Sequence, residues 1–320
     1  MAYHPRLPQV FLSYNKAMIE NKESWKEEIL TLKEKKGALI LSHNYQLPEI
    51  QEVADFVGDS LELSLEAKKT ERKLIVFCGV YFMAEVAKIL SGKKVLMPVL
   101  TAGCPLANMA TREAVLRMKE EHPRAAVVTY INSSAEVKAV SDVICTSANA
   151  LKIVESVPEK EIIFVPDQGL GSWVKEHTDK LVYLWPGFCP THFRIMAADI
   201  QKARSLHPGA KVLVHPECRP EVRNLADQVL GTGGMVRFVK NDTSSSYIIG
   251  TEEGMLYRLR KEAPGKQFFL ASPLLLCPNM KKTDASALYQ CLKEETGEVE
   301  VREDIALLAR KSLLRMLELT

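Results

Sequence analysis

The sequence predicts an α/β protein built from three similar units, each an α/β/α sandwich domain with a small parallel sheet, set around a pseudo-threefold axis. Apolar runs of β type alternate along the chain with helix-type segments, the pattern of parallel strands covered on both faces. Three segments align without gaps: "LILSHNYQLPEIQEVADFVGDS", then "VVTYINSSAEVKAVSDVICTS" and "VLVHPECRPEVRNLADQVLGT", the last two starting one residue later. In every copy, after a second and a third apolar run, stands a cysteine followed by proline: Cys104, Cys189 and Cys277.

The elements follow in order. Residues 16 to 36 show helical periodicity and are expected to cover the first unit. Each aligned segment opens on an apolar run that ends at a polar residue. A helix-type stretch follows, with apolar faces Ile50, Val53, Ala54 and Val57; then Val137, Val140, Ser141 and Ile144; then Val222, Leu225, Ala226 and Val229. Pro48 and Pro220 stand near the helix starts, where proline is tolerated, and each precedes a glutamate that faces the positive end of the helix dipole. The second apolar runs are "LIVFCGV", "EIIFVPD" and "SYIIGT"; the third are "KVLMPVL", "LVYLW" and "QFFLASPLLL". "VREDIALLARKSLLRMLEL" is a closing amphipathic helix, expected to return to the first unit. The predicted domains are residues 1–107, completed by the C-terminal helix within 292–320, then 108–192 and 193–291.

The alignment also pairs polar residues. His43 matches Tyr130 and His215; Tyr45 matches Asn132 and Glu217; Asp55 matches Asp142 and Asp227; Ser60 matches Ser147 and Thr232. In open α/β sheets functional groups gather beyond the carboxyl ends of the strands. Three units about one axis therefore bring the cysteines and these polar triplets to one place.

Three thiolates from separate loops hold a metal or cluster and leave one position free. Structural zinc takes four ligands, often in C-x-x-C pairs, and the chain contains no such pair. A [4Fe-4S] cluster on three cysteines has one iron open to a substrate oxygen, as a dehydration requires. The other cysteines, Cys78, Cys145, Cys218 and Cys291, are read as buried structural residues. His43, Tyr45, Tyr130, His215 and Glu217 offer acid–base chemistry, and their clustering singles out His215 and Glu217. His192, three residues after Cys189, could support the cluster or bind substrate. Ser60, Ser147 and Thr232 stand where helices begin, a position that serves capping and anion binding equally.

These residues resemble the quinolinate synthase family. The likeness runs through "SHNYQLPEIQEVADFVGDSLEL", "FCGVYFMAEVAKIL", "AGCPLANM", "YINSSAEVKA", "TSANA", "PGFCPTH", "HPECRPEV", "GTEEGMLYRL" and "CPNMKK", over roughly residues 36 to 290. The resemblance implies three α/β/α domains around a [4Fe-4S] cluster held by Cys104, Cys189 and Cys277. It implies condensation of iminoaspartate with dihydroxyacetone phosphate to quinolinate, with loss of phosphate and two waters. By motif, Tyr45, His215 and Glu217 are the acid–base groups, while His43, Ser60, Tyr130, Asn132, Ser147, His192 and Thr232 position carboxylates and phosphate. Some members carry C-x-x-C-x-x-C around the third cysteine; here Met280 stands in place of a second cysteine, so that local disulfide switch is not available.

Two rival readings use the same residues. An aconitase-like hydro-lyase would act on a single hydroxy acid, and an iron–sulfur sensor would tolerate loss of Tyr45, His215 and Glu217. With 42 basic and 40 acidic residues and a net charge of +2, nothing argues for nucleic acid or a membrane surface. Seven scattered cysteines and the absence of a signal-peptide pattern point to the cytoplasm. The expected partners are small molecules, with room for transient contact with an iminoaspartate-producing enzyme.

Overall fold

The computed structural model describes residues 25–320, so the part of the expected first helix before residue 25 lies outside the described residues. Three four-stranded sheets follow one another along the chain. The first holds β1 (Ala38–His43), β2 (Phe56–Gly58), β3 (Leu74–Cys78) and β4 (Lys94–Leu96). The second holds β5 (Ala126–Tyr130), β6 (Val143–Cys145), β7 (Glu161–Val165) and β8 (Leu181–Leu184). The third holds β9 (Lys211–Val214), β10 (Gln228–Val229), β11 (Ser246–Gly250) and β12 (Gln267–Leu270). Their orders, β2-β1-β3-β4, β6-β5-β7-β8 and β10-β9-β11-β12, are one topology written three times. Every pairing within the sheets is parallel.

The central strands are continuous apolar runs because helices cover both faces of each sheet. All of β3, "LIVFC", and all of β5, "AVVTY", is buried. Pro48 and Pro220 occupy the first turns of the short helices Pro48–Val53 and Pro220–Arg223, where a missing N–H costs nothing.

The structure corrects the helical reading of the repeat at its end. The helix in each copy is short, and Val57, Ile144 and Val229 belong to the edge strands β2, β6 and β10. The aspartate triplet explains how. Asp55, Asp142 and Asp227 each precede that strand and accept from the backbone N–H of Ile40, Val127 and Val212 at 2.8, 2.8 and 2.7 Å. Their own amides return a bond to the carbonyls of the same residues. This two-way clasp breaks the helix and lays an edge strand beside the first one, and it places the triplet away from the cavity. The third apolar run of the last unit is corrected likewise: β12 stops at Leu270, and Leu274 and Leu276 are exposed in the loop before Cys277.

The helical residues 25–36 lie on the first unit: Ile29 packs with Ile40, Ile50 and Leu96, and Lys33 pairs with Asp55 at 2.8 Å. The chain also returns there. Met97 N–H donates to Gly297 O, and Val299 N–H donates to Val95 O, extending the first sheet's edge. Gly297 has φ +81°, and a Cβ there would stand 2.3 Å from Met97 O, so only glycine fits. The closing helix Glu303–Leu319 then leaves the first unit's edge and bridges two units. Ser312 Oγ donates to Lys138 O and Arg315 to Asp142 O in the second unit, while Arg310 donates to Ile89 O and Leu90 O in the first. Most of its contact is with the second unit's helix Ala135–Ala139 and β6.

Candidate active site

The carboxyl ends of the sheets face a common cavity with an empty volume of about 1000 Å³, part of it open to solvent. Every candidate residue read from the sequence lines it: Cys104, Cys189 and Cys277; Tyr45, His215 and Glu217; His43, Ser60, Tyr130, Asn132, Ser147, His192 and Thr232. His43 ends β1 and Tyr130 ends β5, while His215 follows β9 directly. The topology alone delivers these positions to the axis.

Each cysteine loop is pinned to its sheet by the same backbone bond. Tyr81 N–H donates to Ala102 O, Gln168 N–H to Gly187 O and Glu253 N–H to Leu275 O, at 2.9, 2.7 and 2.8 Å. The acceptor in each case lies two residues before the cysteine. Two loops carry a further clamp that the sequence reading missed. Asp167 Oδ2 accepts from Cys189 N–H, and Glu252 Oε1 from Cys277 N–H, both at 3.1 Å. Asp167 and Glu252 hold equivalent places, two residues after β7 and β11, and a carboxylate at one offset in two copies was the available signal. Val80 occupies that place in the first unit.

Glu217 is the hub of the cavity. It receives His192 Nδ1 at 2.6 Å, Asn132 Nδ2 at 3.3 Å and a hydrogen bond from the Tyr130 hydroxyl. Burial alone would raise its carboxyl, but the facing rings of His192 and His215 and the hydrogen bonds from His192 and Tyr130 outweigh that and hold it below the ordinary carboxylate range. His43 and His215 behave alike. Burial pushes both rings down to about 3 against the pull of Glu217, so they are neutral. Each receives a backbone N–H on Nδ1, from Tyr45 at 3.2 Å and from Glu217 at 3.3 Å. That fixes the proton on Nε2 as a donor, which His215 points at Ser147 Oγ, 3.2 Å away. Burial and the Glu217 charge also push the Tyr45 and Tyr130 phenols up, keeping them protonated.

Ser60, Ser147 and Thr232 are not caps. The helix Ser60–Lys69 is capped by Asp59, whose carboxylate accepts from Leu61 and Glu62 N–H; the helix Thr232–Asn241 begins after Gly231; and Asn149, not Ser147, precedes Ala150–Ser156. Their hydroxyls are therefore not spent on capping their own helices. Thr232 Oγ1 accepts from Asn44 Nδ2 of the first unit at 3.0 Å.

The three cavity cysteines are half-buried free thiols, and Cys189 and Cys277 each lie within electrostatic reach of Cys104. The remaining four are buried in the cores; Cys218, although next to Glu217, turns its Sγ toward Gly250 O at 3.5 Å. His192 Nδ1 also lies 3.3 Å from Cys189 Sγ. Cys189, His192 and Glu217 thus form a compact group with metal-ligand chemistry.

A model of the quinolinate synthetase A protein family matches residues 27–318. The chain belongs to the quinolinate synthase family. It is 53% identical over 301 residues to the quinolinate synthase of Caldicellulosiruptor bescii, covering 93% of this chain and 99% of that one. The quinolinate synthases of Geobacter sp. and Thermodesulfovibrio yellowstonii are 50% and 52% identical, each covering 92% of this chain and 97% of the relative. Membership of the quinolinate synthase family makes the chain an enzyme that acts on small molecules. Among the described residues no helix is long and apolar enough to cross a membrane.

Proposed function

We propose that this chain condenses iminoaspartate with dihydroxyacetone phosphate to give quinolinate, phosphate and two waters, in the cytoplasm. The observation that carries the reading is the meeting, in one cavity, of one cysteine and one set of acid–base or hydrogen-bonding groups from each of three units.

The donor set fits a [4Fe-4S] cluster. Burial pushes Cys104 up to about 12 and raises Cys189 and Cys277 as well. Thiols so placed stay protonated until a cation supplies the missing positive charge. Three sulfurs with no local C-x-x-C pair suit a cluster with one open iron better than a four-ligand zinc. The Cys189, His192 and Glu217 group is a weaker metal site, because its nitrogen and carboxylate are already bonded to each other at 2.6 Å. Cys104, Cys189 and Cys277 would hold the cluster, which when bound supplies a Lewis-acidic iron at the position the three leave open.

The protein's own groups supply the rest. Glu217, ionised and aimed into the cavity, takes substrate protons at its carboxylate oxygens. Tyr45 exchanges its phenolic proton with the substrate from the opposite unit. The neutral Nε2–H groups of His43 and His215 donate to anionic oxygens without surrendering a proton. Asn132, Tyr130 and the hydroxyls of Ser60, Ser147 and Thr232 orient carboxylates and phosphate, and His192 holds Glu217 in place. Incubating the cluster-loaded protein with both substrates should yield quinolinate. Turnover of a single hydroxy acid with no need for the triose phosphate would instead make it a hydro-lyase.

A further inference from the structure

Among the described residues that line the cavity, Arg194 is the one lysine or arginine. The same lining carries three carboxylates, Asp59, Glu217 and Glu252, and Glu252 is already matched by Lys281 Nζ at 2.9 Å. The Arg194 guanidinium forms no hydrogen bond or ion pair among the described residues. An unpaired guanidinium on the wall of a cavity is a receptor for an oxyanion, because its planar N–H groups match two oxygens of a phosphate or a carboxylate.

Local structure aims the side chain and leaves it free. Arg194 follows the short helix Pro190–Phe193 and keeps helical backbone angles, φ −74° and ψ −28°. One turn earlier on the same face stand Pro190 and Thr191, which also line the cavity. Both neighbours of Arg194 are anchored. The Phe193 ring packs against Phe188 with centroids 4.6 Å apart and carries the Arg219 guanidinium 3.6 Å from its centroid, while Arg219 Nε donates to Phe193 O at 2.8 Å. Ile195 is buried in the core of the third unit. The Arg194 side chain is exposed, as are Pro105 and Pro278 in the rest of the lining, so it stands at the opening. Five residues after the other two cavity cysteines come Met109 and Lys282. Neither lines the cavity, and Lys282 Nζ is spent on Thr101 O at 2.8 Å. The charge belongs to the Cys189 loop alone.

We propose that Arg194 gathers the anionic substrates at the mouth of the cavity. The assignment rests on the proposed reaction, whose substrates are a dicarboxylate and a phosphate ester. An exposed charge acts over the screening length of the solution, so its effect falls on substrate capture and is weakened by salt. Once a substrate is inside, the chemical step proceeds as before. The role therefore shows in kcat/KM and not in kcat.

The test compares Arg194→Gln and Arg194→Lys with wild type, all cluster-loaded, at ~0.01 M and ~1 M salt, where the screening lengths are about 30 and 3 Å. Each substrate is varied in turn. Arg194→Gln should lower kcat/KM for at least one of them by about 10-fold at low salt, with kcat, iron count and visible absorbance unchanged. The gap should close at high salt, and Arg194→Lys should recover most of the loss. The substrate whose kcat/KM falls tells whether the guanidinium meets the dicarboxylate or the phosphate. Wild-type kcat/KM in Arg194→Gln at low salt would overturn the role, and so would a loss of equal size at both salt concentrations, the mark of a packing defect. Loss of iron or altered absorbance in Arg194→Gln would make Arg194 a partner of the cluster and also overturn it. A wild type that forms no quinolinate would sink the reaction first. The calorimetric Kd for dihydroxyacetone phosphate then decides Arg194 separately: weakening in Arg194→Gln at low salt supports it, and an unchanged Kd overturns it.

Discussion

Asn132 Nδ2 donates to Glu217 Oε1 across 3.3 Å, and the two residues hold the same place in successive repeats. Side chains that match by alignment thus touch in space, which happens only if their units are related by an axis running through the cavity. The third member of the set, Tyr45, reaches the same cluster through Thr251 and His192. One repeated position has diverged into a phenol, an amide and a carboxylate that face one another.

Glu217→Gln tests the charge at that hub. The amide keeps the shape and accepts from Asn132, but it cannot take a proton at the working pH. Turnover should fall by about 10²- to 10⁴-fold with cluster absorbance and iron content retained. Near-normal turnover would take Glu217 out of the acid–base machinery.

The cysteines divide into two classes with opposite outcomes. Cys189→Ser should abolish cluster absorbance and activity and leave the thermal transition of the metal-free protein close to wild type. Cys218→Ala, in the third unit's core with its Sγ against Gly250 O, should keep the iron and cost about 1 kcal/mol in denaturant unfolding. Iron retained in Cys189→Ser would break the assignment of ligands.

Gly254 lies under the Tyr45 loop. A Cβ there would stand 2.6 Å from Tyr45 O and 2.7 Å from Tyr45 C, and the backbone cannot yield as a side-chain tip can. Gly254→Ala should destabilise by about 1–3 kcal/mol and lower kcat through displacement of Tyr45. Gly265→Ala, where a Cβ meets nothing within 4 Å, is the matched control and should leave kcat unchanged.

Asp59 carries a pH signature. Burial first, then the neighbouring Glu62 charge, push its carboxyl up to about 6 from 3.8, in spite of the two N–H groups it accepts. The folded state therefore binds this proton more tightly than the unfolded chain. Its contribution is full below the unfolded value and is lost as pH rises through about 6, by roughly 3 kcal/mol at most. Asp59→Asn, which keeps an oxygen for the cap, should flatten the stability profile between pH 4 and 6 and gain stability above it. An unchanged profile would show that Asp59 ionises at the ordinary carboxylate range.

Much of this was legible in the residues because three copies printed each signal three times. A cysteine after one strand says little, but the same offset in every copy says that the offset matters. The edge strands were hidden for a physical reason. β2, β6 and β10 are two or three residues long and follow their helices with no glycine or proline between, so their apolar residues also fit the helical period. The aspartate clasp that separates them was visible as a triplet but not as a backbone acceptor. Of the two roles left open for Ser60 and Thr232, capping falls away because Asp59 and Gly231, immediately before them, hold the N-cap positions. Asp167 and Glu252 were missed because their side chains hold the backbone of the cysteine loops.

Anaerobic reconstitution with iron and sulfide, followed by an iron count and a quinolinate assay from iminoaspartate and dihydroxyacetone phosphate, tests the central claim most directly. The account predicts about four irons per chain and quinolinate formed only by the loaded protein. Quinolinate formed without iron, or no cluster on a folded chain, would contradict it and return Cys104, Cys189 and Cys277 to the core.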